Sequence, residues 1–300
     1  MIFRTGFAVA IFSLLATAAC ADVSSASVNW AADVPMLDCD GAPCVDAQFG
    51  QGPVGRAVID SGDVASLVDV ADEKAAGFDG KEKAGTYDLA HPDVTVGSVV
   101  LNSVPTIGYK LQDDVAKGEM PRSRYLLAYP AFKNRIVQLD FIHRRVRISV
   151  VLTAPAACDG MCASLHTPTF GKAGPPIIVA DGFSVNGKPI TVQVDTVYIG
   201  NLLIYTASIE KLGLAKEAQA QEIERFAFTD GGVNMKKSSA QSIAFDGRVM
   251  AQDAPLYFPT PGVHEPDGMF DGTVGLVVMR DKIVTFDFHD KTISIATASG

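Results

Sequence analysis

The 300-residue chain is poor in positive charge, in histidine and in cysteine, and each scarcity closes a route. Lys and Arg number 25 against 34 Asp and Glu, for a formal net charge of -9. A surface of that sign repels phosphate backbones, so nucleic acid is not expected as a partner. The five histidines, His91, His143, His166, His264 and His289, are scattered without metal-ligand spacing and read as surface or loop residues. Neither His-Glu-x-x-His nor Gly-x-Ser-x-Gly occurs, so the zincin and serine-hydrolase signatures are missing. Beyond residue 21 no segment reaches the ~20 apolar residues that a transmembrane helix requires. Charged residues make up only 20% and apolar residues 48%, which is far from the composition of a disordered chain and sufficient for a sizeable core.

Residues 1–21 carry one positive charge at Arg4, an apolar stretch from Phe7 to Ala19, and small residues at Ala19 and Ala21. That is the pattern of a secretory signal peptide cut before Asp22. Cys20, preceded by Thr17-Ala18-Ala19, offers lipoprotein anchoring as the lesser alternative, because the leucine usual three residues earlier is absent. The expected location is therefore outside the cytoplasm, periplasmic or secreted. Four cysteines then remain, in two close pairs, Cys39 with Cys44 and Cys158 with Cys162. In an oxidising compartment local disulfides are the favoured pairing, with a zinc site as the weaker reading.

The chain repeats itself once, the feature to seek before any motif. Cys39-Asp40-Gly41-Ala42-Pro43-Cys44 opens one copy and Cys158-Asp159-Gly160-Met161-Cys162 the other. Hairpins follow: Val45 to Phe49 turns at Gly50-Gln51-Gly52 into Arg56 to Ile59, and Ile177 to Val179 leads through Asn186-Gly187 into Ile190 to Val194. Asn-Gly between such runs is a strong hairpin signal. Each second strand runs into an aspartate, Asp60 or Asp195. Leu67-Val68 then precedes a short helix from Asp72 to Gly77, and Leu203-Ile204 precedes one from Ala207 to Gly213, each closed by glycine. Both copies end in a strand pair around Asp-Phe, at Asp140-Phe141 and Asp287-Phe288. The expected organisation is an N-terminal linker at 22–36 and two all-β lobes at 37–152 and 153–300, with a few short helices.

Two aspartates at equivalent points of a duplicated β fold suit a carboxylate dyad, in which like charges held close share one proton and divide acid and base roles. Ile59-Asp60-Ser61-Gly62 resembles the hydrophobic-Asp-Thr/Ser-Gly signature of the pepsin and retropepsin-like aspartic proteases, and Val194-Asp195-Thr196 repeats most of it. Val274-Gly275 before the last Asp-Phe strand resembles the family's late hydrophobic-Gly element. The resemblance covers nearly the whole chain after the signal. It implies a bilobal pepsin-like fold and a monomer that cleaves a peptide or protein bound between the lobes, with no cofactor and no metal. Asp60 and Asp195 would activate a water, Ser61 and Thr196 would cross-link the two active loops, and Gly62 would approach the Asp60 carboxylate. Thr86-Tyr87 and Asp230-Gly231-Gly232 are candidate tips of a covering flap. Two departures stand against this pattern: Val197 replaces the signature glycine of the second copy, where a strained loop is expected, and Ala128 replaces the late glycine of the first. Impaired catalysis, with the cleft kept for peptide binding or regulation, is the alternative they raise.

Other motifs read as structural. Gly50-Gln51-Gly52-Pro53-Val54-Gly55 matches a dinucleotide fingerprint by letter, but it leads into a strand instead of opening a helix. Arg144-Arg145 is placed at a hairpin tip and Lys236-Lys237 on a polar strand.

Overall fold

The computed structural model describes residues 28–84, 87–118, 120–151, 161–169, 176–226, 232–263, 265–266 and 268–297. The expected signal peptide, Cys20, Cys158, Thr86, Asp230, Gly231 and His264 lie outside them. Strands dominate, and the helices are few and short, as expected.

The first half contributes β1 (Trp30–Pro35), β2 (Leu37–Cys39), β3 (Ala42–Phe49), β4 (Gly55–Asp60), β5 (Ser66–Asp69), β6 (Lys83–Ala84), β7 (Tyr87–Ala90), β8 (Val94–Val96), β9 (Val99–Leu101), β10 (Thr106–Tyr109), β11 (Tyr125–Ala128), β12 (Ile136–Asp140) and β13 (Arg145–Ser149). The second contributes β14 (Met161–His166), β15 (Val179–Val185), β16 (Lys188–Val194), β17 (Leu202–Ile204), β18 (Glu222–Phe226), β19 (Val233–Phe245), β20 (Arg248–Pro259), β21 (Gly272–Val274), β22 (Lys282–Asp287) and β23 (Thr292–Thr297). Helices α1 (Glu73–Ala76), α2 (Leu111–Lys117) and α3 (Ile209–Leu212) complete the described elements of regular structure, with four 3-10 turns.

Local chemistry explains the sharp corners. Asn186 and Gly187 take φ of 49° and 75°, the left-handed pair that a two-residue hairpin needs, and join β15 to β16. Asp246-Gly247 does the same between β19 and β20. Helices α1 and α3 end at Gly77 and Gly213, whose φ of 95° and 68° let their N–H groups turn back onto the last carbonyls. The Gly50-Gln51-Gly52 segment is the turn from β3 into β4.

The strand order is duplicated as well. One sheet runs β6-β7-β10-β5-β11-β4-β3, and the larger one contains β18-β19-β20-β17-β21-β16-β15 in the same sequence. The directions match: β4 with β11 and β16 with β21 are parallel, while β5 with β11 and β17 with β21 are antiparallel. In the second half β19 turns back to pair with β15, which makes that sheet barrel-like. The first half splits the corresponding hairpin into β7 plus β8 and β9 plus β10. Pro92, which has no N–H for a ladder, lies at the break between β7 and β8.

The halves are joined by β12 and β22, equivalent strands paired antiparallel to each other. Ile136 faces Asp287 and Asp140 faces Ile283, a register symmetric about Gln138 and Thr285, whose side chains hydrogen-bond at 3.1 Å. Residues 30–35, read as linker from the sequence, form β1 on the edge of this sheet against β13. One buried apolar cluster runs through both halves, with an aromatic pair in each, Phe49–Tyr125 and Phe183–Phe245, both 4.6 Å apart.

Candidate active site

A continuous apolar run buries Ala57, Val58 and Ile59 on β4, covered on both faces, and alternation buries Ile190, Val192 and Val194 on β16. Each strand thereby delivers its aspartate at the point where the ladder ends. Parallel neighbours hold the two ends in place: Ala128 of β11 stands opposite Asp60, and the Asp195 N–H donates to the Val274 carbonyl at 3.0 Å.

The two loops meet in a reciprocal cross-link. The Ser61 N–H donates to Thr196 Oγ1 at 3.0 Å, and the Thr196 N–H donates to Ser61 Oγ at 3.2 Å. The hydroxyls reach past one another, Ser61 Oγ to the Val194 carbonyl and Thr196 Oγ1 to the Ile59 carbonyl, both at 2.7 Å. All of these groups are buried, so none is satisfied by water instead.

Each carboxylate is held in the same way. Asp60 Oδ1 accepts the N–H groups of Gly62 at 2.8 Å and Asp63 at 3.1 Å. Asp195 Oδ1 accepts those of Val197 at 2.8 Å and Tyr198 at 2.9 Å. The Asp195 carboxyl lies directly on the Gly62 backbone, where an added Cβ would sit 2.6 Å from its Cγ. Burial, the nearby Asp195 charge and Asp63 push the Asp60 carboxyl well above the ordinary carboxylate range, against the two N–H donors. Burial also raises Asp195, opposed by Tyr198 and Val197. Both carboxyls therefore bind a proton more tightly than an exposed aspartate does, and neighbouring carboxyls of this kind are suited to dividing acid and base roles.

No protein-family model and no curated protein matches this chain.

The strain expected at Val197 is absent. Its φ lies outside the left-handed region, and its side chain packs with Leu37 against Cys39, Ala42, Cys44 and Val58. Ala128 fits equally well, buried among Leu67, Leu111, Met120 and Leu126. At its counterpart Gly275 a Cβ would meet the Gly200 and Tyr198 carbonyls at 2.3 and 2.4 Å, so glycine is required in the second half alone.

Cys39 and Cys44 are joined by a disulfide. Cys162 is also disulfide-bonded, and the expected partner Cys158 lies outside the described residues. Of the candidate flap positions, Tyr87 lies on β7 with its ring 5.8 Å from Tyr109, and Gly232 precedes β19. Among the described residues one trio, Asp287, His289 and Asp290, brings metal-type donor atoms within 4.8 Å of one another. Asp287 Oδ1 already accepts two backbone N–H groups there and His289 Nδ1 meets Asp290, an arrangement that closes the turn between β22 and β23.

Sequence reading missed three residues around the pair. Asp63 sits beside Asp60, and Tyr198 occupies the matching place beside Asp195, packed on Phe226 with ring centroids 5.4 Å apart. Gln193 reaches across to Gly62. Their signal was available only in comparing the copies, as departures at Gly62 plus one, Val197 plus one, and Asp195 minus two.

Proposed function

We propose that the chain is an exported aspartic endopeptidase of bilobal pepsin-like architecture, in which Asp60 and Asp195 activate a water for attack on a peptide carbonyl. The observation that carries this reading is the two-way Ser61–Thr196 cross-link, which ties together the two loops whose carboxylates are held by matching backbone hydrogen bonds. One carboxyl, ionised, takes the proton of the water. The other, protonated, donates to the carbonyl oxygen as the tetrahedral intermediate forms; the first carboxyl then passes the proton it took from water to the leaving amine as the C–N bond breaks, and the second recovers a proton from the collapsing diol. Neither step calls for a cofactor. The duplicated strand order and the symmetric β12–β22 pairing support two lobes with the pair between them. The disulfide supports an oxidising compartment, periplasmic or extracellular. No helix among the described residues is long and apolar enough to cross a membrane. The partner is a peptide or protein segment, and the working unit a monomer.

The second reading, a pepsin-fold protein that binds peptides without cleaving them, starts from the glycine replaced at Val197, although the loop there carries no strain. Digestion of a peptide library from pH 3 to 7, with and without a transition-state inhibitor of aspartic proteases, separates the two. Inhibitor-sensitive cleavage that is lost in both Asp60→Asn and Asp195→Asn is expected. Peptide binding without cleavage by the wild type at any pH favours the second reading.

A further inference from the structure

The loop that carries Asp60 is held by one more side chain from the opposite half. Gln193 stands two residues before Asp195 on β16, on the same strand face and half-buried. Its Nε2 donates to the Gly62 carbonyl at 2.8 Å. Its Oε1 is the acceptor of a long 3.5 Å contact from Thr273 Oγ1, and that hydroxyl in turn shares a 3.0 Å hydrogen bond with Tyr205 Oη. Gly62 is thereby held on both sides: its N–H donates to Asp60 Oδ1 and its carbonyl accepts from Gln193.

The duplication makes this clamp informative. The counterparts of Gln193 and Thr273 in the first half are Val58 and Leu126, both fully buried and unable to donate. No equivalent contact can therefore hold the Val197 loop. The two loops also differ sterically, since Asp195 lies where a Gly62 Cβ would be, whereas Val197 has a Cβ and turns it toward the Cys39–Cys44 patch. The pair is symmetric in its hydrogen bonds and asymmetric in its clamp.

We propose that Gln193 is a positioning residue that sets the spacing and electrostatic coupling of the two carboxyls by holding the Gly62 peptide against Asp195. The proposal deepens the dyad reading above and rests on it. Coulomb coupling between close charges in a low-dielectric site changes steeply with separation, so a loop released by a fraction of an ångström alters how the two groups share a proton.

The test is a carbon-13 NMR titration of the aspartate carboxyls in the full mature chain, with Asp60 and Asp195 assigned from their asparagine variants. Wild type should show two well-separated macroscopic steps. Gln193→Leu, which cannot donate to Gly62, should draw the steps together by on the order of one pH unit. In peptide cleavage kcat should fall about tenfold with little change in KM, since the reacting groups are displaced and the substrate contacts are not. Gln193→Met keeps the length of the side chain and is read in its place if the leucine variant does not fold. A variant titration that superimposes on wild type overturns the proposal, whether or not any peptide is cleaved. Two independent, unshifted aspartates in the wild type would instead overturn the dyad reading itself.

Discussion

Replacing Gly62 by alanine puts a methyl group where the Asp195 carboxyl already lies. The new Cβ would stand 2.6 Å from Asp195 Cγ and 2.7 Å from Oδ2, whereas unstrained carbon contacts lie at about 3.5–4.0 Å. Roughly 1 Å must be found. If Asp195 swings away, it gives up the N–H groups of Val197 or Tyr198, at 2.8 and 2.9 Å. If the Gly62 loop retreats, it stretches its bonds to Asp60 and Gln193, both at 2.8 Å. Hydrogen bonds to charged groups contribute about 1.5–3 kcal/mol each, and the relief of like-charge repulsion offsets part of that loss. The net destabilisation expected is about 1–3 kcal/mol, which lowers Tm by roughly 2–4 °C per kcal/mol for a chain of this size. Because a reacting group moves by about an ångström, kcat/KM should drop by about a hundredfold. Calorimetry and peptide cleavage measure the two effects. Wild-type Tm and activity in Gly62→Ala, or a structure of the variant with both loops unmoved, would refute the reasoning. The converse change, Val197→Gly, removes a side chain that packs on an apolar patch and strains nothing. It should cost about 1–2 kcal/mol through lost burial and added backbone freedom without raising turnover, and a gain in turnover would contradict the unstrained placement of Val197.

Three further outcomes follow from the charges and the disulfide. The raised Asp60 carboxyl favours the native state in its protonated form, so that contribution is complete below the unfolded aspartate range and lost as pH rises through the raised folded value. Asp60→Asn removes the loss, and its Tm should exceed that of wild type at pH 7, with the gap closing on acidification, while cleavage is abolished. Burial pushes Asp271 up, but Lys211, Ser208 and the Thr191 N–H more than reverse it and hold the carboxyl below its ordinary value. That stability is present above the unfolded range and lost as pH falls through the lowered folded value. Asp271→Asn should cost about 1–3 kcal/mol at pH 7 and less at pH 3 in thermal melts, because Lys211, Ser208 and the Thr191 N–H lose a charged acceptor that is itself buried. Reducing Cys39–Cys44, which closes a loop of sequence separation 5, should lower stability by about 2 kcal/mol on loop-closure grounds. An unchanged Tm in reductant would show that the patch under Val197 does not depend on the disulfide.

The features legible in the sequence were short-range or repeated. Asn186-Gly187 marked its hairpin because few other residue pairs tolerate two left-handed conformations in succession, and Gly77 and Gly213 marked helix ends for the same reason. The repeat located both aspartates at once, since a strand running into Asp twice in register is a pattern that needs no coordinates. Helix α2 escaped notice because its seven residues follow directly on β10 and close no repeat. Strand β1 escaped because an edge strand six residues long reads like a linker until its partner β13 is known.

Sequence alone determined the strand-rich class, the duplication, and Asp60 and Asp195 as the residues to watch, all properties of local pattern. Only the tertiary structure decided what surrounds them. Ser61 and Thr196 lie 135 residues apart, and no propensity acts over that distance; they meet because the halves pair β12 against β22 and aim both strand ends at one point. The same packing turned Val197 from an expected obstruction into a residue at rest on the Cys39–Cys44 patch, and Gln193 from an ordinary strand position into the support of Gly62. A side chain's role at such a place depends on what the other half of the chain puts beside it, and that is settled by packing between distant segments.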